Sequence, residues 1–223
     1  MNLVYMFLEI IFTFFLLFMF YKIWKKDGLY LYLSLMSAIL SVVIFVVIDL
    51  FSFQINLGIP IVMGIFIVNN IIIQRFGIDE VKRIMLTTGI SYVMPSVILS
   101  LLTLCSDSGY TLISNALFNG LFGYNVFDIR TFIGGFSIVF MLWVNSYFYY
   151  YIRRSKNVLW VSNVVSSLII QMLESIIFVV IAYLGDYSFP LIFGMIVIRY
   201  LCKIIISLMG IIPIYMIVKM RDR

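Results

Sequence analysis

Seven apolar stretches, at about residues 3–23, 29–51, 57–74, 85–105, 129–152, 160–184 and 189–218, account for nearly the whole chain. Each approaches or exceeds the roughly 20 residues that a helix needs to cross the hydrocarbon layer of a bilayer. Backbone in lipid must satisfy its own polar groups, which restricts runs of this kind to helices. The expected fold class is therefore all-α: a polytopic membrane helix bundle with seven transmembrane helices, forming one integral membrane domain over residues 1–223. The last stretch exceeds a perpendicular crossing, and Gly210 with Pro213 supplies a reason for it to bend.

Composition points the same way. With 64% hydrophobic and 11% charged residues, the chain has too little polar surface to clothe a soluble core. Its net charge of +5 is spread over short connections rather than one solvated face, which marks membrane orientation and not a nucleic-acid footprint. There is no histidine, and the two cysteines, Cys105 and Cys202, lack metal-ligand spacing. Both read as small packing residues, and no metal or other cofactor is expected. Residues 1–20 carry no basic leader and no small-residue cleavage site, so they read as a retained helix rather than a signal peptide.

The basic residues orient the spans. Lys22, Lys25 and Lys26 follow the first; Arg75, Lys82 and Arg83 the third; Arg153, Arg154 and Lys156 the fifth; Lys219, Arg221 and Arg223 the last. The alternate connections carry Asp49, Asp107, Asp128 and Asp186 with one basic residue, Arg130. The positive-inside rule then puts the N-terminus outside and the C-terminus in the cytoplasm. The long connection 106–128 reads as a loop on the interface or a lid.

Function is sought in the charges left inside the spans, because one such side chain at a helix centre costs about 3 kcal/mol on an insertion scale. These are Glu9, Glu174, Arg199 and Lys203. Glu174 and Lys203 each lie ~15 residues into antiparallel spans, at matching depth by the ~1.5 Å rise per residue. Arg199 shares a face with Lys203 through its i, i+4 spacing. Asn163, Ser167, Gln171 and Glu174 form one stripe of the sixth span, and Asn70 and Gln74 share a face of the third. Ser167 and Asn163, taken singly, read as interhelical glue. The charged and amide groups together read as a lined cavity for a small, planar, hydrogen-bonding solute. Glu9 has no deduced partner and suits a subunit contact or the outer interface equally.

Motifs along nearly the whole chain resemble the queuosine precursor transporters, also called the vitamin uptake transporter family. The resemblance rests on Lys26 to Tyr30, Asn70 to Gly77 with Lys82 and Arg83, Arg130, Trp160 to Ser167, Gln171 to Phe178 with Ala182 and Gly185, and Lys203 followed by Pro213 and Tyr215. It implies a six-helix core, here preceded by an extra N-terminal helix, and uptake of a 7-deazaguanine across the cytoplasmic membrane. Two acidic positions of the family's third span are amides here, Asn70 and Gln74, whereas its sixth-span carboxylate is Glu174, its seventh-span lysine is Lys203 and its fifth-span arginine is Arg130. A family glutamine in span five is Trp143.

The expected function is thus uptake of a queuosine precursor or related purine-like base. Glu174 is the expected acceptor if Lys203 does not occupy it, Asn70 and Gln74 are the expected edge readers, and Gln171, Asn163, Arg130, Arg199 and Lys203 complete the site. Trp143 is a stacking candidate against a stronger reading as lipid or core packing. A substrate-binding component needing a separate energy-coupling ATPase is one alternative, since no phosphate-binding loop occurs in the chain. A scaffold or regulator that kept the fold is another. A homodimer is compatible with either. Catalysis is not expected, because no paired acids, metal cage or serine with a base lies within the spans.

Overall fold

The computed structural model describes residues 2–44, 46–50, 53–103, 129–155, 158–183, 185 and 187–220. The chain forms an all-helical bundle: α1 (Asn2–Val43), α2 (Ile59–Phe76), α3 (Val81–Thr103), α4 (Ile129–Ser155), α5 (Leu159–Tyr183), α6 (Phe189–Met209) and α7 (Ile211–Lys219). Helices α1, α2, α5 and the pair α6–α7 (189–219) are long and apolar enough to cross a membrane. Helices α3 and α4 occupy the stretches expected for spans four and five, but Thr87, Thr88, Ser91, Asn145 and Ser146 leave them more polar.

Helix α1 is two segments joined at Lys25, whose φ of 51° and ψ of −122° interrupt the helical run. In a straight helix the rings of Phe20 and Tyr32 would lie ~18 Å apart along the axis. Their centroids are 6.4 Å apart, so the two halves fold back on each other. Gly28 makes this turn possible: a Cβ there would stand 2.1 Å from the Phe20 carbonyl oxygen, a backbone atom that cannot rotate away. Gly28→Ala is accordingly expected to cost about 2–3 kcal/mol, the upper end for overpacking. Thermal unfolding of the detergent-solubilised chain checks it; an unchanged midpoint rejects the turn.

One feature departs from the expected spans. The stretch assigned to the end of span two leaves the helix after Val43 and forms a two-stranded antiparallel hairpin, β1 (Val47–Leu50) with β2 (Phe53–Asn56). Val47 pairs with Asn56, Ile48 with Ile55, and Asp49 with Gln54. β-Branched residues at 46–48 favour the pleat, and a short apolar run of this kind has no periodicity that separates strand from helix.

Helix α2 is the axis of the bundle. Helices α1, α4, α5, α6 and α7 all pack on it, and α3 closes the ring between α1 and α4. Every residue from Ile59 to Ile73 is buried, as a helix apolar on all sides requires. Gly64 permits the closest approach, since a Cβ there would meet Thr13 of one half of α1 and Tyr32 of the other. Between α6 and α7 the chain turns at Gly210, where Pro213 cannot donate to the preceding turn.

The basic junctions gather at one end of the bundle. Lys26 donates to Glu80 at 2.6 Å and Tyr30 to the same carboxylate at 2.5 Å. These bonds, Lys26 first, hold the Glu80 carboxyl below its ordinary range. Arg75 donates to the Tyr21 hydroxyl and, at 2.7 Å in both cases, to the carbonyls of Ile217 and Met220, capping α7. At the other end, Asn2 donates to the Asp49 carbonyl of the hairpin at 2.7 Å.

Candidate functional site

The polar side chains that the spans carry inward form a column along the faces of α2, α4, α5 and α6 that meet at the axis. Nearest the hairpin, the Asn56 amide donates to the Ile44 carbonyl at 2.9 Å and shares a 2.6 Å bond with the Tyr183 hydroxyl. Its oxygen accepts from Arg199 at 2.8 Å. Arg199 also donates to one Glu174 oxygen at 3.0 Å, and Lys203 donates to the other. The Arg199 guanidinium lies 4.3 Å from the centre of the Phe178 ring. Glu174, Arg199 and Lys203 are at most 1% exposed.

The matched depth counted from the sequence is thus the depth at which α5 and α6 meet. Glu174 itself, however, is not a free acceptor: both of its oxygens are occupied by cations, and the condition attached to its expected role is not fulfilled.

One turn toward the basic end lies Gln171, buried to 1% exposure, with neither arm of its amide bonded to any described residue. Beyond it, ~12 Å along α5 at ~1.5 Å per residue, Asn163 accepts from Asn70 at 2.7 Å. The Asn70 oxygen accepts from Asn145 at 2.7 Å and from Asn69 at 3.4 Å. Ser146 closes this cluster by donating to Asn69 at 2.8 Å. Gln74, nearer the basic end, accepts from Tyr149 at 3.0 Å and from Arg153 at 2.9 Å. Asn70 and Gln74 therefore share a helix face but belong to separate layers.

Serines and amides play different parts. Ser162, Ser166 and Ser175 return their hydroxyls to carbonyls three or four residues back and offer little to a ligand. The amides retain free valences: the Asn145 oxygen, the Asn163 nitrogen and both ends of Gln171. Ser207 and the Arg199 Nε are likewise buried without a partner among the described residues. Native interiors rarely leave such groups unmet. Tyr32, Ser37, Thr88 and Tyr92 are in the same state outside the column.

Trp143 stands 41% exposed on the outer face of α4, between Phe140 at 6.0 Å and Tyr147 at 5.5 Å. The inward face of that helix carries Asn145 and Ser146, both buried. The Arg130 side chain, Cys105 and the connection 106–128 lie outside the described residues. Cys202 is buried beside the hairpin with Ile10 and Ile55. Glu9 is half-buried on α1.

Reasoning from the sequence missed Asn145, Asn56 and Ser207. Asn145 had a signal, an amide in an apolar run, identical in kind to that of Asn70. Asn56 had none, because it lies between spans and its partner Arg199 is 143 residues away.

A sequence model of the family described as "Putative vitamin uptake transporter" matches residues 56–218. No curated protein matches the chain, and no solved structure matches it.

Proposed function

The chain belongs to the vitamin uptake transporter family, and from that premise we propose that it carries a small planar heterocycle across the cytoplasmic membrane, a queuosine precursor or related 7-deazaguanine. Membership makes it a multi-pass membrane protein with a small-molecule substrate. The finer reading rests on Gln171. A primary amide presents one donor and one acceptor side by side, the complement of the N–H and C=O of a lactam edge on an oxopurine-type ring. At Gln171 both are buried and unused. Leaving each unmade costs about 1–3 kcal/mol, which a ring docking edge-on relieves.

Asn163 and Asn145 offer the next donor and acceptor along the path, and Asn70 holds them in place rather than reading the ring itself. Gln74, with Tyr149 and Arg153, forms the exit layer. Seven crossings with the N-terminus outside are supported by the gathering of the basic junctions at the end opposite Asn2. The chain is a carrier and not an enzyme in this reading. A second copy or an energy-coupling ATPase belongs to it only if the purified chain fails to transport alone in liposomes.

Gln171→Leu separates this function from folding. Leucine removes two unmet polar groups at similar volume, so stability is expected to hold or to rise by about 1–3 kcal/mol, while uptake of radiolabelled 7-deazaguanine by a salvage-deficient bacterium falls at least tenfold. Such discrimination is within what a site built on hydrogen bonds imposes. Wild-type uptake by the variant, at equal protein level, would remove Gln171 from the site.

A further inference from the structure

The interior of the bundle holds one carboxylate against two cations. Glu174 faces Arg199 and Lys203, and no other acidic side chain pairs with either among the described residues. The cluster is shut from solvent on all three members, and with Lys203 protonated it carries one surplus positive charge in a low-dielectric interior. Buried charge without a counter-charge is strongly disfavoured. The surroundings soften this without cancelling it. The Phe178 ring face and the Asn56 amide, itself tied to the end of α1 at Ile44, present dipoles to Arg199, but neither supplies a full negative charge.

We propose that the missing charge is brought by the solute: the site takes an anionic ring compound, a planar heterocycle bearing one carboxylate. This rests on the heterocycle reading above and names the charge of its substrate. Two observations converge on it. The unpartnered Gln171 amide lies one turn along α5 from Glu174, which Arg199 and Lys203 hold, and the Arg199 Nε is itself buried with no acceptor among the described residues. A ring whose lactam edge meets Gln171 would direct an acidic substituent toward Lys203 and Arg199. The alternative means of balance is a neutral Lys203 amine, and in that case the site gains nothing from a negative solute.

The test uses the full chain in detergent micelles, with thermal unfolding followed by tryptophan fluorescence and titrated with three probes. These are a 7-deazaguanine carrying a nitrile at its 7-position, the same ring carrying a carboxylate there, and acetate. Any solute that binds the folded state raises the midpoint in proportion to its occupancy. The carboxylate ring is expected to bind at least tenfold tighter than the nitrile ring. In Lys203→Met, which leaves a balanced Glu174–Arg199 pair, that preference is expected to fall below twofold. Lys203→Gln serves in the same role if the methionine variant does not fold.

Equal binding of the two rings, or a preference that survives at position 203, overturns the proposal and leaves the heterocycle reading standing. Stabilisation by acetate with no effect of either ring overturns the heterocycle reading and upholds the anion site. No effect of any probe overturns both.

Discussion

Glu174→Ala is expected to destabilise the bundle by about 3–5 kcal/mol, the usual cost of removing one partner from a buried ion pair. The loss does not reflect a strong attraction. Two cations at 1% exposure are left without a carboxylate, and lipid around the helices offers them no water. Arg199 keeps Asn56 and the Phe178 face, whereas Lys203 keeps no bonded partner. Lys203→Met is therefore expected to cost much less than Glu174→Ala, because it removes a surplus charge instead of stranding one. Thermal unfolding of the three proteins in one detergent gives the order. A loss below about 1 kcal/mol for Glu174→Ala would mean that the interior is wet enough to solvate ions, and the closed cluster would fall with it. Because folding is so exposed to this residue, lost uptake in a Glu174 variant says little about recognition, which is why Gln171 carries the functional test.

The charged layer was legible because lipid leaves so few charges inside spans that their depths can be counted and compared. Glu174, Arg199 and Lys203 stand together for that reason. Three things resisted the same treatment. The occupancy of both Glu174 oxygens depends on side-chain reach, which a count of residues does not supply. The inward face of α4 was left unassigned although Asn145 marks it, and Trp143, about 200° away around a helix at 3.6 residues per turn, cannot share that face. The hairpin at 47–56 was hidden in an apolar β-branched run long enough to extend the preceding helix. That run matters to the site, because leaving the helix at Val43 is what brings Asn56 back over Arg199.

Asn70→Leu is the second large effect, and the comparison with Asn70→Asp makes it informative. Asn70 is the hub of the amide cluster: its oxygen serves Asn145 and Asn69, and its nitrogen serves Asn163. Leucine strands three buried groups, each worth about 1–3 kcal/mol when unmet, for an expected loss of about 3 kcal/mol or more after its own packing gain. Aspartate in this closed layer stays protonated, so its carbonyl oxygen accepts from Asn145 and its hydroxyl donates to Asn163 as the Asn70 amide does. The expected order of thermal stability is wild type, then Asn70→Asp, then Asn70→Leu, with at least about 2 kcal/mol between the variants. If leucine proves the more stable of the two, the amides are packing units and not a hydrogen-bonded frame. The order expected here makes Asn70 a positioning residue, which holds Asn145 and Asn163 with one valence each unmet.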